Sequence, residues 1–192
     1  MSRSRKPSEP RMRLFFALWP DAAVRDAVLS VAAIHGITGR LTPRRNVHLT
    51  LVFVGAVAER DLAGVGAAGD AVVGEEFELM LDQLGHVRRR RLSWLAASRA
   101  PEALLSLHGQ LLESLRHSGF KVDGRPLWPH LTLARKALPH DRVRVPPIRW
   151  SVRSFCLVGS TLSSAGASYQ VLRKWPLRPD GSRVSGTGGG GT

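Results

Sequence analysis

One cysteine, Cys156, is all that the 192 residues contain, so no internal disulfide can form and a reducing compartment is expected. It lies in the apolar run SFCLVG, which fits a buried thiol better than a nucleophile. No stretch approaches the ~18 apolar residues of a membrane span. The charged opening MSRSRKPSEPRMR is not followed by an apolar run that ends in a cleavage site, which argues against a secretory leader. These absences give the expectation of a cytoplasmic protein with no membrane partner. Acidic residues are scarce as well: 15 Asp and Glu stand against 28 Lys and Arg, a formal net charge of +13. A basic surface draws polyanions through its field and through counterion release. Nucleic acid is the commonest such partner, although an arginine-rich compositional bias would give the same excess.

Also missing is any linker long enough to separate independent domains. Residues 1–10 are polar and contain two prolines, and residues 181–192 are rich in glycine and serine. Neither segment has apolar surface to bury, so both are expected to be disordered tails. Residues 11–180 read as one domain, or two intimate lobes, with 43% hydrophobic and 22% charged residues in the chain as a whole.

Within that span the apolar pattern changes period several times. RMRLFFALWP reads as a strand closed by Pro20. Asp21 then caps a helix from Ala22 to about His35. NVHLTLVFVG is a strand ended by Gly55, and residues 58–72 form a helix weakened by three glycines. FELMLDQLGHV and RRLSWLAA are strands joined by a basic turn. Pro101 to His117 is a helix with a broad leucine stripe, stopped by Gly119. PHLTLAR, IRWSVRSFCLVGS and SYQVLRKWPL complete the set as strands. The order points to an α+β fold with mostly antiparallel sheet.

The chain spells His-Leu-Thr-Leu twice, at 48–51 and at 130–133. Side chains alternate along a strand, so His48 and Thr50 share one face while Leu49, Leu51 and Phe53 share the other. The same phase sets His130 and Thr132 apart from Leu131 and Leu133. The leucines read as core. The His/Thr pairs would line a wetter surface, and if two similar halves pack about a pseudo-twofold axis those surfaces meet in one cleft. Two imidazoles and two hydroxyls suit phosphodiester cleavage through a cyclic phosphate. A neutral imidazole takes the proton of the attacking oxygen, and an imidazolium protonates the leaving oxygen. Threonine hydroxyls donate to the non-bridging oxygens as charge builds. No metal and no cofactor are needed. A zinc site needs three or four ligands, and His35, His86, His108, His117 and His140 show no ligand spacing with the motif pair. His108 and His117 read as surface residues of the leucine-rich helix. No nucleophile-elbow serine offers a triad.

The paired motifs, with RLFFAL at 13–18, HLTLVFVG at 48–55, PHLTLAR at 129–135 and YQVLRKWPL at 169–177, resemble the 2H phosphoesterases, specifically the RNA 2',3'-cyclic phosphodiesterases also called 2'-5' RNA ligases. The resemblance covers about residues 11–178. It implies a bilobal pseudo-twofold fold, with two mostly antiparallel sheets facing a central cleft and helices outside. It implies hydrolysis of a cyclic phosphate to a 2'-phosphate, with His48 as general acid and His130 as general base. Thr50, Thr132 and Arg135 would hold phosphate. Strict alternation puts Arg135 opposite His130, so its role requires the strand to end or bulge there.

The partner so implied is an RNA with a 2',3'-cyclic phosphate end, tRNA halves among the candidates, met by a monomer. Reversible 2'-5' ligation is a secondary activity. A non-catalytic RNA-binding module and an esterase for a small cyclic nucleotide are the alternatives. Phe15, Phe16 and Trp128 are candidates to stack on a base, or else are core. The run Arg88, Arg89, Arg90 and Arg91 is either a solvated turn or a clamp on the RNA strand. If it is a clamp, replacing all four with alanine should flatten the dependence of RNA affinity on salt. An unchanged slope in a salt titration of Kd would leave the run as a turn.

Overall fold

Leucine-, valine- and phenylalanine-rich runs build nine strands, and apolar stripes at helical spacing build three α-helices, in residues 10–163 and 166–179, which the computed structural model describes. In chain order they are β1 (Arg11–Leu18), α1 (Ala22–Ile34), β2 (Arg40–Leu41), β3 (Leu49–Ala58), α2 (Leu62–Asp70), β4 (Phe77–Val87), β5 (Leu92–Ala96), α3 (Glu102–His117), β6 (His130–Arg135), β7 (Val143–Val152), β8 (Ser154–Ser163) and β9 (Gly166–Pro176). The strand order is β7-β4-β5-β6-β3-β1-β8-β9, with β2 beside β6, and each strand ladder is antiparallel.

The α+β expectation holds. The two expected sheets are the halves β7-β4-β5-β6 and β3-β1-β8-β9, and the HLTL strands are the inner strand of each. Among the described residues a single register pair, Leu49 with Leu131, joins the halves. The chain passes from β7 to β8 through Arg153 alone, although five strands stand between them in the sheet order. One residue spans at most ~3.6 Å, so the sheet must curl until β7 and β8 approach. The Leu177 amide, bonded to the Arg153 carbonyl at 2.9 Å, and a bridge between Glu75 and Arg178 fasten that approach.

The helices cover the leucine face. Leu104, Leu107, Leu111 and Leu115 of α3 and Val28 of α1 share one core with Leu49, Leu131 and Leu133. The opposite face carries two small apolar clusters. Phe15, Ala17, Cys156 and Val158 lie beside the first motif, and Leu92, Trp94 and Ala96 beside the second. Asp21 caps α1 as expected, its carboxylate accepting from the Val24 amide at 2.9 Å. Burial pushes the Cys156 thiol up to about 11, which keeps it protonated and unreactive.

Several sequence expectations change. IRWSVRSFCLVGS is two strands, β7 and β8, because its ends pair with different halves. β3 runs past Gly55 to Ala58; Gly55 takes φ +94° beside a register shift, so it kinks the strand without ending it. The 58–72 helix is shorter, Leu62–Asp70. His108 is buried in the α3 face, 8% exposed, and desolvation lowers its pKa. The expected tails lie outside the described residues, Pro10 excepted. Among the described residues no helix is long and apolar enough to cross a membrane.

Trp94 lies across Gly85, where any Cβ would fall against the indole ring. Gly85→Ala must displace that ring, and the expected loss is about 1–3 kcal/mol of stability, read from urea unfolding. An unchanged midpoint would show that the indole shifts freely.

Candidate active site

Leu49 and Leu131 point into the core at 0% exposure, so their neighbours turn the other way. Continuing the antiparallel register by one residue on each side of this pair sets His48 opposite Thr132 and Thr50 opposite His130. All four are half-buried on one face. Each histidine thus stands across from the threonine of the other motif.

The two rings are held alike. His48 Nδ1 lies 2.7 Å from the Asn46 carbonyl, and His130 Nδ1 lies 2.8 Å from the Trp128 carbonyl. A carbonyl oxygen only accepts, so Nδ1 carries the proton in both rings. Nε2 is then the basic nitrogen of each neutral imidazole. His48 Nε2 lies 3.1 Å from Thr50 Oγ1, whose hydroxyl donates to it. Aromatic rings fix the planes. His130 stacks on Trp128 with centroids 4.0 Å apart and 19° between planes, and Trp128 meets Trp94 edge-on. His48 lies nearly parallel to Trp19 at 5.5 Å, with Phe15 and Tyr169 at 5.0 and 5.1 Å.

Desolvation pushes His48 down to about 4, against the pull of the Asn46 carbonyl and with help from the charges of His130 and Arg135. His130 is lowered as well, first by desolvation, then by Arg135 and Arg90, while the Trp128 carbonyl opposes the shift. Both free imidazoles are neutral at pH 7.

Arg135 reaches the histidine face through a bulge. Thr132 pairs with Trp94 and Ala134 with Ser93, so Leu133 is one residue too many on β6. The phase flips, and Arg135, opposite Leu92, returns to the side of His130, Trp94 and Ala96. The first motif carries the same device: Thr50 pairs with Ala17 and Val52 with Phe16, which leaves Leu51 extra. At the position of Arg135 the first half presents Phe53, 65% exposed.

The structure therefore gathers His48, Thr50, His130, Thr132 and Arg135. Trp128 backs His130 and stays 41% exposed. Phe15 and Phe16 are corrected: at 3% and 0% exposure they cannot offer a face to a base, since Phe15 supports His48 and Phe16 is core. Arg88–Arg90 form a 3-10 turn, and Arg91 takes a left-handed φ of 46°. The turn is tied to the segment after Arg135 by the Ala137 amide on the Arg91 carbonyl, at 2.9 Å. Trp19, Tyr169 and the two carbonyls were not read from the sequence. The carbonyls carried a signal, since Asn46 and Trp128 both stand two residues before their histidine. Tyr169 had none. Among the described residues no three His, Cys, Asp or Glu side chains gather to hold a metal ion.

Residues 20–161 match the model of the 2'-5' RNA ligase superfamily. The chain belongs to that superfamily. It is similar to the RNA 2',3'-cyclic phosphodiesterase of Escherichia coli strain K12, 32% identical over 174 residues, which cover 88% of this chain and 98% of the relative. The enzyme of the same name from Thermus thermophilus is 31% identical over 194 residues, covering 93% and 97%. The apo crystal structure of E. coli LigT matches with a TM-score of 0.78 at 30% identity, over 88% of this chain and 98% of that one.

The paired imidazoles of this superfamily member give its stability a pH signature. The folded pKa of His48, about 4, lies below the ordinary 6.5, so between these values the unfolded state binds more protons. Stability should fall as pH drops from about 6.5 to about 4. His48→Gln should flatten urea-unfolding free energy against pH in that window. A variant with the wild-type slope would place the acid sensitivity elsewhere.

Proposed function

We propose that this chain hydrolyses 2',3'-cyclic phosphate ends of RNA to 2'-phosphates, with His48 and His130 as the proton-transfer pair. The observation that carries the reading is the symmetry of the site. Two imidazoles, each with Nδ1 committed to a carbonyl two residues back, share one face with a threonine across from each. Two relatives similar along most of the chain bear the name of this activity. E. coli LigT has also been crystallised with 3'-AMP and with phosphate, ligands of the chemistry this cleft would hold.

His130 Nε2 takes a proton from water as the water oxygen bonds to phosphorus. The bond from phosphorus to the 3'-oxygen breaks, and His48, as imidazolium, delivers a proton to that oxygen. Thr50, Thr132 and Arg135 hold the non-bridging oxygens as charge builds. His48 must first gain its proton. An anionic phosphate offsets both the desolvation and the arginine charge that depress it. The near-parallel Trp19 ring stabilises the cation further. With a 5'-hydroxyl in place of water, the same displacement of the 3'-oxygen forms a 2'-5' linkage. The substrate is RNA, tRNA halves among the candidates, and the enzyme works as a monomer in the cytoplasm.

The test is a short RNA ending in a 2',3'-cyclic phosphate. Hydrolysis should persist in EDTA and leave the phosphate on the 2'-oxygen. His48→Ala and His130→Ala should each slow turnover by roughly 10²–10⁴-fold. The double variant should lose less than the product of the two, because the groups act as a unit. Loss of activity in EDTA, or near-full activity in either single variant, would remove the two-histidine mechanism.

A further inference from the structure

We propose that Arg40 binds a second phosphate of the RNA, that of the phosphodiester one nucleotide upstream of the cyclic end. This rests on the RNA-end reading above. β2 is two residues long, and its register sets Arg40 directly opposite Arg135 and Leu41 opposite Ala134. Register partners share a face, and the bulge at Leu133 has put Arg135 on the histidine face, so Arg40 lies there too. Like charges directly opposite one another on adjacent strands repel. Acid partners are spent elsewhere: Arg44, Arg144, Arg149 and Arg173 pair with Asp26, Asp82, Glu78 and Asp70. Arg40 and Arg135 are exposed, and their side chains have neither hydrogen bond nor ion pair among the described residues. A repelling, uncompensated pair facing an active-site cleft is what an anion would relieve.

The pair is also built in. Gly39 takes φ +93°, and a Cβ there would stand 2.7 Å from the Arg135 carbonyl and 2.8 Å from the Ala137 amide nitrogen. Only glycine lets β2 come this close to β6. The Thr42 amide, bonded to the Leu133 carbonyl at 2.8 Å, holds the next step. The Arg40 guanidinium extends toward the start of β9, Nη1 lying 3.4 Å from where a Cβ of Gly166 would be. Arg40 thus reaches from the β6 half toward the β1 half, at the level of Arg135.

The position suits the neighbouring phosphate. The reacting phosphate belongs among His48, Thr50, His130 and Thr132. Arg135 stands three residues beyond Thr132, ~10 Å along the strand, and reaches back with a long side chain. Arg40 stands level with it on the far side, which leaves the second guanidinium for the next unit of the backbone.

Two substrates separate the phosphates: a mononucleoside 2',3'-cyclic phosphate, and a dinucleotide ending in the same cyclic phosphate. For Arg40→Ala, the ratio of kcat/KM on the dinucleotide to that on the mononucleoside should fall about 10–100-fold, the range for a hydrogen bond to a charged group. The change should lie in KM. The salt slope of log KM for the dinucleotide should shrink by ~0.7, one phosphate contact on a single strand. Arg40→Lys should recover part of the ratio. Calorimetric Kd values for a dinucleotide and a mononucleoside 3'-phosphate give the same ratio without turnover. Equal losses on both substrates would place Arg40 on the reacting phosphate, and no loss on either would make it a solvated side chain; each overturns the proposal. A wild-type protein inactive on both substrates refutes the hydrolysis reading, and the Kd ratio still decides Arg40.

Discussion

Leu49 opposite Leu131 is the sole register pair between the two halves among the described residues, and the chemistry of the cleft is phased by it. With both leucines turned to the core, the flanking histidines and threonines have only the other face. A slip of one residue would bury the polar set and expose the leucines, which makes the register self-enforcing. Beyond this pair the strands part. β6 continues against β2, and β3 continues against β1. The bulges at Leu51 and Leu133 fall at the same motif position and reset the phase of the residues after them. One half then offers Arg135, a cation, and the other Phe53, an exposed ring. A near-symmetric frame thereby carries asymmetric chemistry.

Charge completes the arrangement. The chain has few carboxylates, and several hold arginines at the periphery. Burial depresses both imidazoles, and Arg135, with Arg90 beside His130, adds to it, no acid among the described residues offsetting the shift. The resting site is therefore two neutral bases in a positive field. An anion entering it changes the balance, so the charge of a bound group and the protonation of the imidazoles are coupled.

Local pattern made much of the fold legible. The leucine stripe of α3, the Asp21 cap and the full extent of β4 follow from residues within one turn or one strand. The errors share a cause. The break at Arg153 depends on which distant strand each side pairs with, and apolar β7 and β8 read alike. β2 is too short to have a period. His108 goes inside because α3 is covered where it sits, and Phe15 is hidden because His48 and Tyr169 close over it.

For the site, the repeated HLTL determined by itself which His/Thr pairs are the candidates and which face each takes, because strand alternation is a local rule. It also stated the condition for Arg135, a bulge, without being able to supply it. Only tertiary structure decided that the bulge exists, since its evidence is the pairing of β6 with β5. Tertiary structure also brought Trp19 and Tyr169 around His48 and set Arg40 against Arg135. Those contacts join residues far apart in the chain, and no spacing in the sequence encodes a distance that folding alone creates.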